Sequence, residues 1–404
     1  MNILVFNPGG NSLKAEIVCC EPRQQHAFAG TKLISVIIES IGQDPTLSKY
    51  QGKKIVETQP IEASNYGRAA ESLFRWLEGP LTEDLPSLDE IDCVGIRVVH
   101  GGLHLTAPAQ IDTEVERQIK DLERLAPLHN KSSVEVLAPI RKHLPNVPTY
   151  GVFDTAFHRT IPDHAALYAI PFELSEKHPI RRYGFHGTSH RYMLGRYAQL
   201  AEKPVSECTL VTMHLESGCS VTAIRNGRSI DNTMGMTPLE GLMMGTRSGD
   251  VDPSLIPFLM REEQLEVDEV MTMLNKKSGL LGVSGESLDT RVLMEHYDTN
   301  PRVRLAMEMF SYRVLKAVGA HLAALGGADA VIFGGGIAEN TRLVRSRIAD
   351  GLRWCGLELD PEANDILIDI EGRLSTEDSP LQAWVIPVEE GLQIAHECCY
   401  AIAG

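Results

Sequence analysis

The feature that most constrains this chain is a strand–loop–strand unit that occurs near its start and again 208 residues later. Each unit is a short apolar run, a turn containing glycine and a second apolar run, which is typical of two strands joined as a hairpin. The strands are predicted over residues 3–6, 13–19, 210–214 and 221–225. The turns, in Gly10–Leu13 and Gly218–Val221, share the spacing of glycine and serine. Because each unit opens one half of the chain, the repeat predicts a duplicated domain, with chance similarity as the alternative for so short a match.

Strands alternate with helices through most of the sequence, which favours an α/β fold, and 404 residues suggest two domains. The hydrophobic spacing predicts a helix over residues 65–77, capped by Ser64 or Asn65. Farther along, a buried strand over residues 330–333 leads into three glycines and then a helix from Thr341 onward.

A second, longer helix is predicted over residues 302–325. Its apolar residues recur at helical spacing, and we expect one stripe of them to face the core. The members of this stripe are Leu305, Met309, Tyr312, Leu315 and Leu322.

The charge balance limits the partners of the chain. Acidic side chains outnumber basic ones by 54 to 38, so the net charge is −16, and such a protein has no general affinity for nucleic acid or anionic membranes. No apolar run reaches the ~20 residues of a membrane span, and no leader pattern precedes Ile3. The eight cysteines form no Cys-x-x-Cys motif, which favours reduced thiols. We expect a cytoplasmic protein whose anionic ligands meet small local clusters of positive groups.

Two glycine-rich turns could bind phosphate. The turn over residues 7–12 follows a strand and has Ser12 and Lys14 beside it, although for this loop alone a plain hairpin turn is the favoured interpretation. The glycines at residues 334–336 lie between a strand and a helix, where a nucleotide can approach the backbone. They form neither a Walker motif nor a dinucleotide fingerprint.

Three further loops combine glycine with positive or titratable groups. Arg97 lies where an apolar strand meets two glycines, Arg247 lies in a glycine-containing loop, and His186 and His190 lie beside more glycine. Each arginine alone is more often solvated or ion-paired. Three such loops in an acidic protein indicate a clamp for an oxyanion.

These motifs resemble those of the acetate kinase family, the ATP-dependent acetate and propionate kinases that make acyl phosphates. The matching segments are residues 7–14, 97–102, 126–130, 152–158, 181–190, 234–241, 244–253, 278–282, 335–337 with 339–340, and 386–387 with 390. The segments around His186 and Arg247 are specific to this family, whereas glycine loops alone are not.

The resemblance implies two duplicated actin-like ATPase (ribonuclease H-like) domains with an interdomain cleft. The first would comprise residues 1–150 plus about 388–404, and the second, residues 151–387, would carry the nucleotide site. It also implies a homodimer that uses ATP and Mg²⁺ to phosphorylate a short-chain carboxylate reversibly, acetate or propionate.

The resemblance also assigns roles to residues. The catalytic set is Arg97, Asp154, His186 and Arg247. The Mg²⁺ ligands are Asn7, Asp154 and Glu390. The nucleotide set is Asn7, Ser12, Lys14, His214, Ser217, Gly218, Asp289, Arg291, Gly334, Gly335, Gly336 and Asn340. The pocket for the acyl group is Val99, Leu128, Phe185 and Pro238. His129 and His214 would lie close to His186. Without the resemblance, Asp154 would be interpreted as a helix cap and Glu390 as a surface carboxylate.

The chain departs from the family pattern in its phosphate loops. Gly10 and Asn11 stand where the family has serines, and Glu216 and Ser217 replace a glycine and an asparagine. If the Glu216 carboxylate points into the loop it opposes nucleotide binding, whereas if it faces solvent or pairs with a cation it does not. Three interpretations stay open: a working ATP-dependent kinase, a kinase with an altered donor or acid, and a non-catalytic nucleotide-binding protein.

Overall fold

The computed structural model describes residues 1–21, 30–52, 54–79, 87–125 and 130–403, with only the backbone of Arg124. These residues divide into two compact units, Met1–Phe157 with Glu389–Gly404 and His158–Val388. The assignment of the nucleotide site to residues 151–387 stays a prediction. Leu128, which the resemblance placed at the acyl pocket, and His129, which it placed near His186, lie outside the described residues.

The first unit is built on one mixed sheet. Its strands are β1 (Asn2–Pro8), β2 (Leu13–Cys20), β3 (Gly30–Glu39), β4 (Thr46–Gln51), β5 (Lys54–Pro60), β6 (Cys93–Val98), β7 (Ala109–Gln110) and β8 (Thr149–Phe153). Their order is β5-β4-β3-β2-β1-β6-β8-β7. The hairpins from β1 to β5 are antiparallel, whereas β6 pairs parallel with both β1 and β8.

The second unit repeats this arrangement. Its strands are β9 (Leu210–Leu215), β10 (Cys219–Arg225), β11 (Arg228–Asn232), β12 (Ala330–Gly334), β13 (Gly372–Arg373) and β14 (Gln382–Val385), in the order β11-β10-β9-β12-β14-β13. The strands β11-β10-β9 are antiparallel neighbours, and β12 is parallel to both β9 and β14. The run β3-β2-β1-β6-β8 therefore has the same order and directions as β11-β10-β9-β12-β14. The duplication predicted from the short repeat is confirmed.

Helices cover the sheets. In the first unit they are α1 (Tyr66–Leu77), α2 (Thr113–Asp121), α3 (Asn130–Glu135), α4 (Leu137–His143) and α16 (Glu390–Ala403). In the second they are α5 (Asp163–Ala166), α6 (Phe172–Lys177), α7 (Gly187–Leu200), α8 (Leu255–Glu262), α9 (Val267–Lys276), α10 (Gly279–Ser284), α11 (Thr290–Glu295), α12 (Pro301–Leu325), α13 (Gly336–Asn340), α14 (Arg342–Gly351) and α15 (Pro361–Ile366). Among the described residues, no helix is long and apolar enough to cross a membrane.

The alternation of side chains along β1 divides the core of the first unit between the two faces of its sheet. Leu4 and Phe6 belong to the cluster that α1, α3 and α4 help to cover. Ile3 and Val5 belong to the opposite cluster, which includes Ile394 of the C-terminal helix α16. Since α16 packs against β1, β2 and β6, the last residues of the chain complete the core that its first residues begin.

Two details of the predicted helices were wrong. Leu305 and Tyr312, placed on the buried stripe of α12, are about half or more exposed, at 50% and 61%. The buried face of α12 instead begins at Val303 and includes Phe310 and Val314. This face also includes the small residues Ala306 and Ser311, which the pattern undervalued, and Leu322 of the predicted stripe is buried as expected. The sequence also missed a short helix, α13, which begins at Gly336. The helix predicted from Thr341 onward is α14, and Thr341 is its N-cap.

Candidate active site

Three side chains meet at the carboxyl ends of the parallel strands in the first unit. Asn7 lies near the end of β1, Arg97 near the end of β6, and Asp154 directly after β8. Parallel neighbouring strands bring their carboxyl ends to one edge of a sheet, where α/β proteins commonly bind ligands. The topology therefore places these residues together although 147 positions separate the first from the last.

Arg97 is held by two partners. Its Nη2 lies 2.6 Å from Asp154 Oδ2 and its Nε lies 3.1 Å from both carboxylate oxygens, while its Nη1 donates to Asn7 Oδ1 at 3.1 Å. Asp154 is fully buried, and the Arg97 side chain is 12% exposed. A buried carboxylate paired in this fork-like geometry fixes the plane of the guanidinium. Asp154 is thus an ion-pair partner rather than a helix cap.

Glu390 joins this cluster from the first turn of α16. Asn7 Nδ2 donates to Glu390 Oε2 at 2.6 Å, and Arg97 Nη1 lies 3.5 Å from the same oxygen. Its position at a helix N-terminus is favourable for a carboxylate. With a side chain only 14% exposed, Glu390 is not a free surface carboxylate.

The donor set of this cluster fits Mg²⁺. Asp154 and Glu390 supply carboxylate oxygens and Asn7 an amide oxygen, which are the hard ligands that Mg²⁺ prefers. No group of three or more His, Cys, Asp or Glu side chains in the described part of the chain could hold a metal by itself. This agrees with the usual Mg²⁺ site at phosphates, in which one or two carboxylates suffice and substrate oxygens and water complete the shell.

A charged network lies beside the cluster. Lys14 pairs with Asn7 across β1 and β2, and its Nζ lies 3.3 Å from Glu16 Oε1. Burial lowers the pKa of Lys14, but Glu16, Glu389 and Glu390 outweigh this, and the net pKa is raised. Burial likewise raises the pKa of Glu16, but Lys14 and Lys32 outweigh it and hold that pKa below its usual value. Both groups therefore stay charged at neutral pH.

In the second unit, His186 is the first of a buried chain of hydrogen bonds. His186 Nδ1 lies 2.9 Å from Ser220 Oγ, which lies 2.8 Å from His190 Nε2, and His190 Nδ1 lies 2.7 Å from Thr212 Oγ1. Burial, followed by the neighbouring histidines, holds the pKa of His190 well below its ordinary value. His190 is therefore neutral. His186 itself has φ +56° at the N-cap of α7, so the turn before this helix directs its ring.

Arg247 and Gly218 lie next to this ring. A Cβ on Gly218 would lie 3.3 Å from His186 Cε1 and 3.4 Å from Arg247 Nη1, which shows how closely both side chains approach the turn after β9. Arg247 Nη1 donates to the carbonyl oxygen of Pro238 at 3.0 Å. The ring of His214 also lies against the ring of His186, with centroids 4.2 Å apart. The structure thus brings His186, His214, Gly218 and Arg247 together.

The glycine loop after β12 has a definite conformation. Gly335 has φ +85°, and a Cβ there would lie 2.7 Å from the carbonyl oxygen of Leu215, so only glycine fits. Glu339 Oε1 accepts from the backbone N–H of Gly335 at 2.6 Å and of Val388 at 3.1 Å. Asn340 Nδ2 donates to the carbonyl oxygen of Gly336 at 2.9 Å. The predicted loop and Asn340 therefore form one structure, with Glu339 beneath it.

Comparison with known proteins decides the family. A model of the acetokinase family matches residues 2–396, nearly the whole chain. The chain belongs to the acetokinase family.

Individual members of the acetokinase family agree with this. The acetate kinase of Solibacter usitatus is 44% identical over 413 residues, which cover 100% of this chain and 99% of that protein. The crystal structure of Porphyromonas gingivalis acetate kinase has a TM-score of 0.89 at 36% identity and covers 100% of both chains. The structure of a propionate kinase from Francisella tularensis has a TM-score of 0.87 at 35% identity over 98% of both chains. The duplicated actin-like fold expected from the acetokinase resemblance is confirmed.

Glu216, the main departure from the acetokinase pattern, adopts the second of the two arrangements considered for it. Its carboxylate lies 3.5 Å from His214 Nε2, and its side chain is 62% exposed. It therefore faces solvent beside a histidine rather than pointing into the turn. A glutamate at residue 216 in place of the family's glycine should therefore have only a modest effect on phosphate binding.

Four other residues that the resemblance assigned to the nucleotide make contacts within the protein. Arg291 Nη2 lies 2.6 Å from Asp289 Oδ2, with the Arg291 side chain 83% exposed and Asp289 capping α11. Ser12 accepts through its carbonyl oxygen from Gly9 N–H at 2.8 Å, which closes the first turn. The carbonyl oxygen of Ser217 accepts from Gly245 N–H at 3.1 Å. A role for these residues toward a nucleotide stays a prediction.

The predicted acyl pocket is divided between the two units. Val99 is buried in the first unit, and Phe185 and Pro238 belong to the second. Arg97 and Arg247 are divided in the same way. Their joint action on one substrate also stays a prediction.

Sequence reasoning missed the residues that support the site. Glu16, Lys32 and Glu389 surround the first turn of α16, and Thr212 and Ser220 complete the chain of hydrogen bonds behind His186. The local signal was Glu16, a carboxylate in a strand whose only other charged residue is Lys14. Such a residue is rarely buried without a charged partner.

Proposed function

We propose that this protein is an ATP-dependent carboxylate kinase that transfers the γ-phosphoryl group reversibly to acetate or propionate, giving an acyl phosphate. Its membership of the acetokinase family supports this, as do relatives named as acetate kinases and a propionate kinase. The observation that carries the proposal is the Arg97 guanidinium, held by Asp154 and Asn7 beside Glu390. A fixed positive group beside hard oxygen ligands is what a reaction between two anions requires.

The chemistry follows from the charges of the reactants. The acceptor carboxylate is already an anion and needs no general base, so the main obstacle is its repulsion from the phosphoryl group. Arg97 would orient one anion, and Arg247 would stabilise the phosphoryl group during transfer. Because Asp154 and Asn7 already fix the guanidinium of Arg97, little reorganisation is needed when the substrate binds.

The histidine and the metal ligands have separate roles in this proposal. His186 Nδ1 is hydrogen-bonded to Ser220 Oγ, so His186 would contact the transferred phosphoryl group through Nε2. Asp154, Glu390 and Asn7 would hold Mg²⁺, which when bound offsets the charge of the phosphate oxygens. Ser12, Lys14, the glycines at 334–336 and Asn340 would surround the nucleotide. The cytoplasmic location and the homodimer expected from the resemblance are part of the same proposal.

An acyl-hydroxamate assay tests this function. Purified protein is mixed with acetate, Mg²⁺, hydroxylamine and one donor at a time: ATP, GTP or pyrophosphate. Hydroxamate formed with ATP, and lost in an Arg247→Ala variant, is the expected result. Product formed only with another donor would establish an altered kinase, and no product with any donor would refute the proposal in favour of a non-catalytic protein.

A further inference from the structure

Two adjacent carboxylates begin the C-terminal helix, and they have different surroundings. Glu390 Oε2 accepts from Asn7 Nδ2 at 2.6 Å and lies 3.5 Å from Arg97 Nη1. Glu389 Oε2 instead lies 2.5 Å from Lys32 Nζ. The cluster around Arg97 does not explain why Glu390 rather than Glu389 reaches Asn7 and Arg97. The contacts of Glu389 with Lys32 therefore need to be followed further.

Glu16 lies between these partners. It is only 1% exposed, and it pairs with Val5 across the antiparallel strands β1 and β2. Directly paired residues project from the same face of a sheet, and Val5 belongs to the core cluster shared with α16. Glu16 Oε1 lies 2.9 Å from Lys32 Nζ. One ammonium group therefore bridges Glu16, fixed on the sheet, and Glu389, at the start of the helix.

Gly391 shows how closely the helix approaches this carboxylate. A Cβ at residue 391 would lie 1.5 Å from Glu16 Oε2, so no side chain fits there while Glu16 keeps its place. The carboxylate of Glu16 occupies the space that the side chain of residue 391 would otherwise fill. The first turn of α16 is thus seated directly on Glu16.

We propose that Glu16 is a positioning residue that, through Lys32 and Gly391, fixes the first turn of α16 so that Glu390 faces Asn7 and Arg97. Lys32 neutralises Glu389 and keeps it away from the site, which leaves Glu390 as the carboxylate available to a divalent cation. This inference rests on the proposed function, because Glu390 matters in this way only if the cluster binds the metal of a metal–nucleotide complex.

The first test measures metal binding without turnover. Mn²⁺ is titrated into the protein with ADP present, and free Mn²⁺ is followed by electron paramagnetic resonance. Glu16→Gln keeps the size of the side chain but releases Lys32, and we expect the Mn²⁺ Kd to rise at least about fivefold. Glu114→Gln on α2 removes the same charge from an exposed ion pair and should stay within about twofold of the natural protein. If the two variants bind Mn²⁺ equally well, the proposal is wrong.

A second set of variants covers the case in which Glu16→Gln does not fold. Gly391→Ala alone should displace the Glu16 carboxylate and weaken Mn²⁺ binding. Adding Glu16→Ala should then weaken Mn²⁺ binding no further than the weaker-binding of the two single variants, because the carboxylate that the new methyl group displaces is already absent. Effects that simply add would overturn the proposal. A natural protein that binds no Mn²⁺ with ADP would instead refute the proposed metal site, and the positioning role with it.

Discussion

Replacing Glu339 by Gln should stabilise the protein at pH 8 and change its stability little at pH 5. Glu339 is only 7% exposed, and its Oε1 accepts from the backbone N–H groups of Gly335 and Val388. Burial raises the pKa of this carboxyl to about 7; the two N–H donors oppose the rise, and Asp369 and Glu216 add to it. Glutamine keeps the accepting oxygen and removes the charge.

The sign follows from linkage between protonation and folding. Because the pKa of Glu339 is higher in the folded protein than the ordinary 4.5, the folded state binds more protons between these values. The free energy of unfolding therefore falls as the pH rises from about 4.5 to about 7 and is level above that. At ~1.4 kcal/mol per pH unit, the full cost of the buried charge is about 3 kcal/mol at pH 8 and less than about 1 kcal/mol at pH 5.

Urea unfolding at pH 5, 6, 7 and 8 measures this difference. The gain in unfolding free energy of Glu339→Gln over the natural protein should grow from pH 5 to pH 7 and change little between pH 7 and pH 8. Glu262→Gln removes the same charge from the exposed end of α8 and should show no such trend. A gain that is the same at every pH, or a loss at pH 8, would show that Glu339 is not a buried acid of raised pKa.

Three further predictions concern the proposed reaction. Arg97→Ala or Arg247→Ala should each lower kcat/KM for acetate by about 10² or more, and Arg247→Lys should recover little of it, since lysine makes no bidentate contact; steady-state rates near those of the natural enzyme would contradict the clamp. Restoring the family pair, Glu216→Gly with Ser217→Asn, should change the nucleotide Kd by no more than about fivefold, because a carboxylate that is 62% exposed interacts with a nearby charge by at most ~1 kcal/mol; calorimetry showing a larger gain would mean that the carboxylate does point at the nucleotide. The rate should fall from propionate to valerate, because each further methylene gains only ~0.8 kcal/mol and only where there is room; a rate that climbs steadily would show a larger pocket.

The sequence predicted the fold where local chemistry and tertiary structure agree. The repeat around Ser12 and Ser220 predicted the duplication, because a hairpin is recorded in consecutive residues. The hydrophobic pattern of α12 placed Leu305 and Tyr312 in the core because they are large and apolar. Both are exposed, whereas Ala306 and Ser311 are buried. A helix face is chosen by the space available beside it, which hydrophobicity alone does not record.

The site shows the same division. Arg97 was identified by its place between an apolar strand and two glycines, and the metal-binding roles of Asn7 and Asp154 through the family resemblance; the strand order explains why the three residues meet. Glu16 and Lys32 were not identified, because an ion pair between two neighbouring strands leaves no spacing in the sequence. The contact of Glu16 with Gly391 is between residues 375 positions apart, and only the packed structure reveals it.

The placement of α16 in the first unit has a consequence for how the protein is made. The second unit, His158–Val388, is continuous in the chain, so all of its residues leave the ribosome before Glu389 does. The sheet of the first unit, although synthesised earlier, lacks α16 on one face until residues 390–403 have been made. While the whole second unit is synthesised, Ile3 and Val5 therefore lack their contact with Ile394, and Asn7 lacks its hydrogen bond to Glu390. A nascent chain released early, by a stop codon near the end of the message, would present that apolar face to chaperones and proteases although most of its residues had been made.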